Sequence, residues 1–116
     1  MLIRIDPHRE EPVFAQLAAS IRADAAAGRL APGDRLPAAR EVASSLGVNL
    51  HTVLHAYQAL RDEGLVDMRP GRGAILTDAV RPIVELHAEV VALARRAHEL
   101  GIPRDALASL VRDARP

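Results

Sequence analysis

Only three residues, Gly47, Val48 and Asn49, separate two segments that each read as a short amphipathic helix. The first covers about residues 38–46. Val42, Ala43 and Leu46 lie on its apolar face, and Arg40 and Glu41 on its polar one. Gly47 is suited to stop it, because glycine takes the left-handed conformation that ends helices. Asn49 is suited to start the next, because its side chain accepts from the free amides of a first helical turn. That second segment runs to about Glu63, with Val53, Tyr57 and Leu60 facing inward, and Gly64 ends it. Two helices of this size joined by a short glycine-containing turn form a helix-turn-helix.

The flanking sequence completes a compact unit. Pro12 fits the first turn of an earlier helix, where its missing N–H costs nothing. Phe14, Leu17, Ala18, Ile21 and Ala25 then recur at helical spacing until Gly28. Residues 2–5 alternate weakly and predict a short strand; residues 6–11 predict a loop. Pro32 and Gly33 make a turn between the apolar anchors Leu30 and Leu36. After the helix-turn-helix, residues 65–69 and 74–77 predict two strands. Pro70, Gly71, Arg72 and Gly73 form a tight, basic hairpin tip between them.

A helix over residues 83–100 follows, opened by Arg81 and Pro82, and another begins at Pro103 and runs to about Arg112. The expected fold is mostly α with a small β-hairpin. A winged helix-turn-helix occupies residues 1–78, and a two-helix segment occupies residues 79–116. Two helices alone have little to bury themselves against. Leu86, Val90, Leu93, Ala97, Leu107, Leu110 and Val111 are therefore assigned to a dimer interface between two copies.

Composition bounds the remaining possibilities. Hydrophobic residues make up 49% of the chain, enough for a core, and aliphatic because Phe14 and Tyr57 are the only aromatics. There is no cysteine, which excludes disulfides and thiolate metal sites. No apolar run reaches the roughly 20 residues a membrane helix needs. No secretory leader opens the chain, so the expected location is the cytoplasm. No nucleophile elbow or lysine-bearing phosphate loop is present, so enzymatic activity and a cofactor are not expected. The net charge of +0 weighs against nucleic-acid binding, although phosphates respond to a local face and not to a sum. All basic residues are arginine, the side chain suited to bidentate contact with phosphate or guanine.

In a winged helix-turn-helix the third helix enters the major groove by its N-terminal end. Leu50, His51, Thr52, Leu54, His55 and Gln58 would be presented there. His51, Thr52, His55 and Gln58 carry hydrogen-bonding groups, whereas Leu50 and Leu54 have only thymine methyls or protein to touch. Arg40 would project toward a strand or a base edge. Arg69, Gly71, Arg72 and Gly73 would bring the wing against the backbone or minor groove, the glycines permitting close approach. His51 and His55 share one helix face at a spacing that also suits zinc, but no third ligand is evident and no metal is assigned.

Several blocks taken together resemble the GntR family of bacterial regulators. They run from Leu36 to Ala43, from Gly47 to Val53, through Ala56, Tyr57 and Leu60, from Glu63 to Leu65, and from Gly71 to Gly73. Asp6, Pro7, Pro12, the Asn49-to-Val53 run and the Ala56-Tyr57 pair look most like its YtrA subfamily. The resemblance implies double-stranded DNA as partner. It implies contacts by Arg40, by Asn49, His51, Thr52 and His55, and by the wing at Gly71, Arg72 and Gly73. It also implies a short two-helix dimerisation segment and a repressor, often of transporter operons, with no effector assigned. Ala38 departs from the family, which has a capping side chain there; such a loss typically costs about 1 kcal/mol. Leu50 and His55 depart at base-reading positions, where the family often has Pro or Arg and Arg respectively. Two other readings stand beside this one: a winged-helix module that binds protein, and a sensor gated by metal or ligand.

Overall fold

The computed structural model describes residues 3–116. Five helices and one hairpin follow in the order α1 (Val13–Ala26), α2 (Ala39–Leu46), α3 (Leu50–Asp62), β1 (Val66–Arg69), β2 (Gly73–Leu76), α4 (Val80–Glu99) and α5 (Arg104–Asp113). The chain falls into two compact units, Met1–Glu85 and Leu86–Pro116.

The first unit is built around α3. Val53, Ala56 and Leu60 are fully buried, and Tyr57 nearly so. Leu17, Ala18, Ile21 and Ala25 of α1, Val42 and Ala43 of α2, and Val66, Ala74 and Leu76 of the hairpin complete the same core. A bidentate pair from Arg22 to Glu63, at 3.0 and 2.6 Å, ties α1 to the end of α3 at the surface. The buried Gln16 amide bonds the backbone of Asp6 and Glu11 and holds the N-terminal loop against α1. Among the described residues 3–5 no strand forms; Leu2 lies outside them.

The hairpin is antiparallel, with Val66 opposite Leu76 and Arg69 opposite Gly73. Its β2 edge is covered by residues 33–36, which the Pro-Gly pattern reads only as a turn. Gly33 N donates to Leu76 O, Leu76 N to Asp34 O and Leu36 N to Ala74 O, all at 2.8–2.9 Å. Arg35 bridges Ile75. An edge that would otherwise expose free backbone groups is thereby paired.

The first unit reaches further along the chain than residue 78. Val80, at 1% exposure, belongs to its core, and Ile83 packs against that core. The fourth helix therefore starts at Val80, three residues before the position its Arg-Pro pair suggests.

The second unit holds the rest of α4 and α5, joined through Gly101. Ile102 N closes back on Ala97 O at 2.9 Å, and glycine's positive φ makes the turn possible. Leu86, Val90, Leu93, Leu110 and Val111 are all more than 45% exposed. Ala97 is the exception to the expected dimer face: it is 4% exposed within the single chain, so it has almost no surface to give a partner. Leu107 is half-buried. No helix among the described residues is long and apolar enough to cross a membrane.

Leu60 is the natural probe of the α3 contact. Leu60→Ala should destabilise the first unit by about 2–5 kcal/mol, the range for a fully buried leucine. Gln58→Ala, at an exposed position of the same helix, should change that stability by less than about 0.5 kcal/mol.

Candidate nucleic-acid interface

The same rotation of α3 that buries Val53, Ala56, Tyr57 and Leu60 turns His51 and Gln58 outward. Its first turn is held open by Asn49, whose side-chain oxygen accepts from His51 N at 2.8 Å. The cap leaves the positive end of the helix dipole facing solvent. α2 has Ala38 at its N-cap position and no side-chain cap, as the missing hydroxyl predicts. Arg40 stands exposed in its first turn.

The position of α2 relative to α3 is fixed by one buried polar contact. The Tyr57 hydroxyl donates to Pro37 O at 2.7 Å, linking the middle of α3 to the residue just before the α2 cap. Burial, and secondarily the Glu41 carboxylate, pushes this hydroxyl up from 10.0 to about 12. It therefore remains a donor throughout the physiological range.

The wing tip is a turn closed by Arg72 N donating to Arg69 O at 3.0 Å, with Gly71 and Gly73 at positive φ. At Gly73 a side chain would also meet a neighbour: a Cβ there would lie 3.7 Å from Arg35 Nε. Arg35 thus lies along the wing, on the side where α2 begins. It joins Leu36, Arg40, Leu50, Leu54, Tyr57, Met68 and Gly73 in lining a groove of about 370 Å³ between α2, α3 and the hairpin.

Of the sequence-predicted residues, Arg40, Leu50 and Gly73 line this groove, whereas Arg69 and Arg72 line a second concavity with Asp67, Asp78 and Arg81. Arg40, Asn49, His51, Arg69, Gly71, Arg72 and Gly73 are exposed, and Leu50 and Thr52 are half-buried. Arg69 is not free, since its Nε is 2.9 Å from Asp67 Oδ2. His55 is solvent-exposed, but its ring is stacked on Phe14 of α1, with centroids 3.7 Å apart and planes 14° from parallel. One face of the imidazole is therefore occupied by protein. No group of three or more acidic or histidine side chains gathers as a metal site among the described residues.

Arg35 is the residue that sequence reasoning missed. Its signal was the Gly33-Asp34 turn before the buried anchor Leu36, which aims the intervening side chain outward. Pairing elsewhere makes this arginine significant. Arg9, Arg22, Arg29, Arg61, Arg69 and Arg81 each meet a carboxylate within 4.0 Å. Among the described residues of the first unit, that leaves Arg4, Arg35, Arg40 and Arg72 without an ion-pair partner, and three of these border α3 or the wing.

An outward-facing capped helix behind a tight turn, flanked by unpaired arginines and a glycine-tipped hairpin, defines a DNA-binding transcription regulator of the winged-helix class. The chain belongs to the gntR family of bacterial regulatory proteins, whose family model matches residues 14–76, and within it the chain is YtrA-like. It is 34% identical over 77 residues to the HTH-type transcriptional repressor YtrA of Bacillus subtilis, covering 66% of this chain and 59% of that protein. It is 36% identical over 75 residues to the HTH-type transcriptional regulator Rv1152 of Mycobacterium tuberculosis, covering 65% and 62%. The matches thus span about three fifths of each curated relative. Among solved structures, YtrA from Sulfolobus acidocaldarius, a GntR-family transcription factor, superposes with a TM-score of 0.64 at 35% identity. That match covers 85% of this chain and 99% of the other. These relatives are all named as transcription regulators.

Tyr57→Phe tests the internal anchor of this face. It should cost about 1 kcal/mol, the usual worth of one hydrogen bond. The folded state holds the phenolic proton more tightly than the unfolded one. The resulting stabilisation is complete below pH 10 and is lost as pH rises from 10 toward about 12. Denaturant titrations across that window should show the loss in the parent protein and none from this source in the phenylalanine variant.

Proposed function

We propose that the protein is a repressor that binds a pseudo-palindromic operator as a homodimer. The observation that carries this reading is the outward side of the first turn of α3, where Asn49 and His51 are exposed beside the exposed Arg40 and the glycine wing. The helix start carries the positive end of the helix dipole and the exposed Asn49 and His51, which suits a phosphate or a base edge. Arg40 stands at the same end of the helix pair, where a guanidinium reaches either the strand or a guanine. Arg72, at the tip of the wing, is suited to the backbone or minor groove. The repressor assignment follows the Bacillus relative, which is named a transcriptional repressor.

The dimer reading rests on the second unit. Leu86, Val90 and Leu93 recur at helical spacing on α4, and Leu110 and Val111 stand on α5. An apolar set this large and this exposed is costly to leave in water, and a second copy of the same surface covers it. Two-fold symmetry then presents two reading helices, and the operator mirrors that symmetry.

Gel-shift titration against duplexes selected from random sequence tests the DNA contact. Arg40→Ala should weaken binding by about 1–3 kcal/mol and relax preference at one base position in each half-site, if that side chain reads a base. Arg72→Ala should weaken all sequences alike and flatten the salt dependence by about one unit per lost phosphate contact. Unchanged affinity in both variants would remove the mechanism. For assembly, Val90→Glu places a charge in the apolar set. Sedimentation should show a dimer for the parent chain and a monomer for this variant, and a parent that stays monomeric at every concentration refutes the dimer.

A further inference from the structure

Leu54 is left over once the core and the ion pairs have been accounted for. It sits one helical turn after Leu50, rotated away from Val53, Ala56 and Leu60. It is half-buried, like Leu50, but belongs neither to the core nor to the apolar residues packed on it, whereas Leu50 packs there. Both leucines line the groove between α2, α3 and the hairpin, together with Met68, and Arg35 and Arg40 line it too. Neither arginine has an ion-pair partner among the described residues.

An aliphatic side chain on a reading helix has no hydrogen bond to offer. The one apolar group on the major-groove edge of a base pair is the 5-methyl group of thymine. An apolar projection beside two guanidinium groups that lack an ion-pair partner therefore matches an occupant that is anionic along its backbone and carries a methyl group between its phosphates. We propose that Leu54 is a specificity-determining residue that reads a thymine methyl in each operator half-site, with Leu50 forming the second wall of the contact. The assignment rests on the operator-binding reading above and makes it narrower. Each half-site carries a T·A pair opposite the first two turns of α3, and a C·G pair there is disfavoured for want of the methyl.

Replacing thymine by deoxyuridine removes the methyl group and leaves every hydrogen-bonding atom in place. The experiment takes the selected operator and makes this replacement at one thymine at a time. At one position in each half-site binding should fall about fourfold, the effect expected for burying one methyl-sized group. Leu54→Ala should bind the thymine operator more weakly and no longer distinguish thymine from uracil at that position. Leu54→Met, which keeps apolar reach, should retain the distinction. Thermal melting of each variant checks that the fold is intact, as expected for a side chain outside the core. Indifference to uracil at every position overturns the proposal, and so does undiminished discrimination by Leu54→Ala. Loss of binding in Arg40→Ala alongside such indifference sinks the methyl contact alone. A parent protein that retains no duplex at all sinks the operator reading and this proposal together.

Discussion

Val53, Ala56 and Leu60 lose all their exposure against α1, α2 and the hairpin, and this burial sets both the place and the roll of α3. A helix with one face fully committed has no freedom to rotate, since a turn of even one residue would bring Tyr57 or Leu60 into water. The outward face follows by geometry. His51 and Gln58 are exposed because Val53 and Ala56 are not. Affinity for a groove depends on presenting a reading helix in one orientation, so the interior packing and the outward chemistry are two consequences of a single constraint.

The neighbouring parts are attached to that helix by polar contacts that a hydrophobic core alone does not specify. The Tyr57 hydroxyl locates the start of α2, and with it Arg40. The wing is located twice: through β1, which follows α3 after one tight turn, and through residues 33–36, which pair with β2. Thr77 adds a third tie, its hydroxyl donating to Gly64 O at 2.6 Å at the base of the hairpin. Apolar contacts tolerate sliding, whereas hydrogen bonds do not. The combination explains how an aliphatic core with a single tyrosine holds Arg35, Arg40 and the wing tip around one groove.

Much of this was legible in the sequence because it is local. Gly47 and Asn49 punctuate the two helices, and period-3.6 apolar spacing gives their inner faces; both signals lie within a few residues of what they determine. What escaped was non-local. The pairing of residues 33–36 with β2 depends on partners some forty residues away, and a Pro-Gly turn looks the same whether or not its flank is hydrogen-bonded. The Phe14–His55 stack joins two helices, so nothing near His55 announces that one side of its ring is taken. The start of the fourth helix shows a related limit. Val80 precedes the Arg-Pro pair that looks like a helix start, yet it is drawn into the core by packing. Ala97 has the periodicity of the exposed apolar residues on α4, but periodicity does not reveal whether a small side chain is already covered.

The neutral net charge, which argues against a nucleic-acid partner when taken as a sum, is resolved by where the charges are spent. Glu11, Asp24, Asp62, Glu63, Asp67 and Asp78 each sit against an arginine of the first unit, and those pairs cancel locally. A polyanion is screened from a compensated pair and attracted by an uncompensated one, within a Debye length of about 8 Å at physiological salt. Among the described residues, Arg35, Arg40 and Arg72 are the arginines left without an ion pair around α3 and the wing, with Asp34, also without one, the carboxylate beside Arg35. Glu41, exposed one residue after Arg40, partly offsets them and gives the site a bipolar edge. Such a surface has a weak long-range pull and strong short-range contacts. On the operator-binding reading, this placement exchanges affinity for arbitrary DNA for contacts made only when helix and groove are in register. On that reading, local charge placement favours discrimination over bulk attraction, and it does so without a single lysine in the chain.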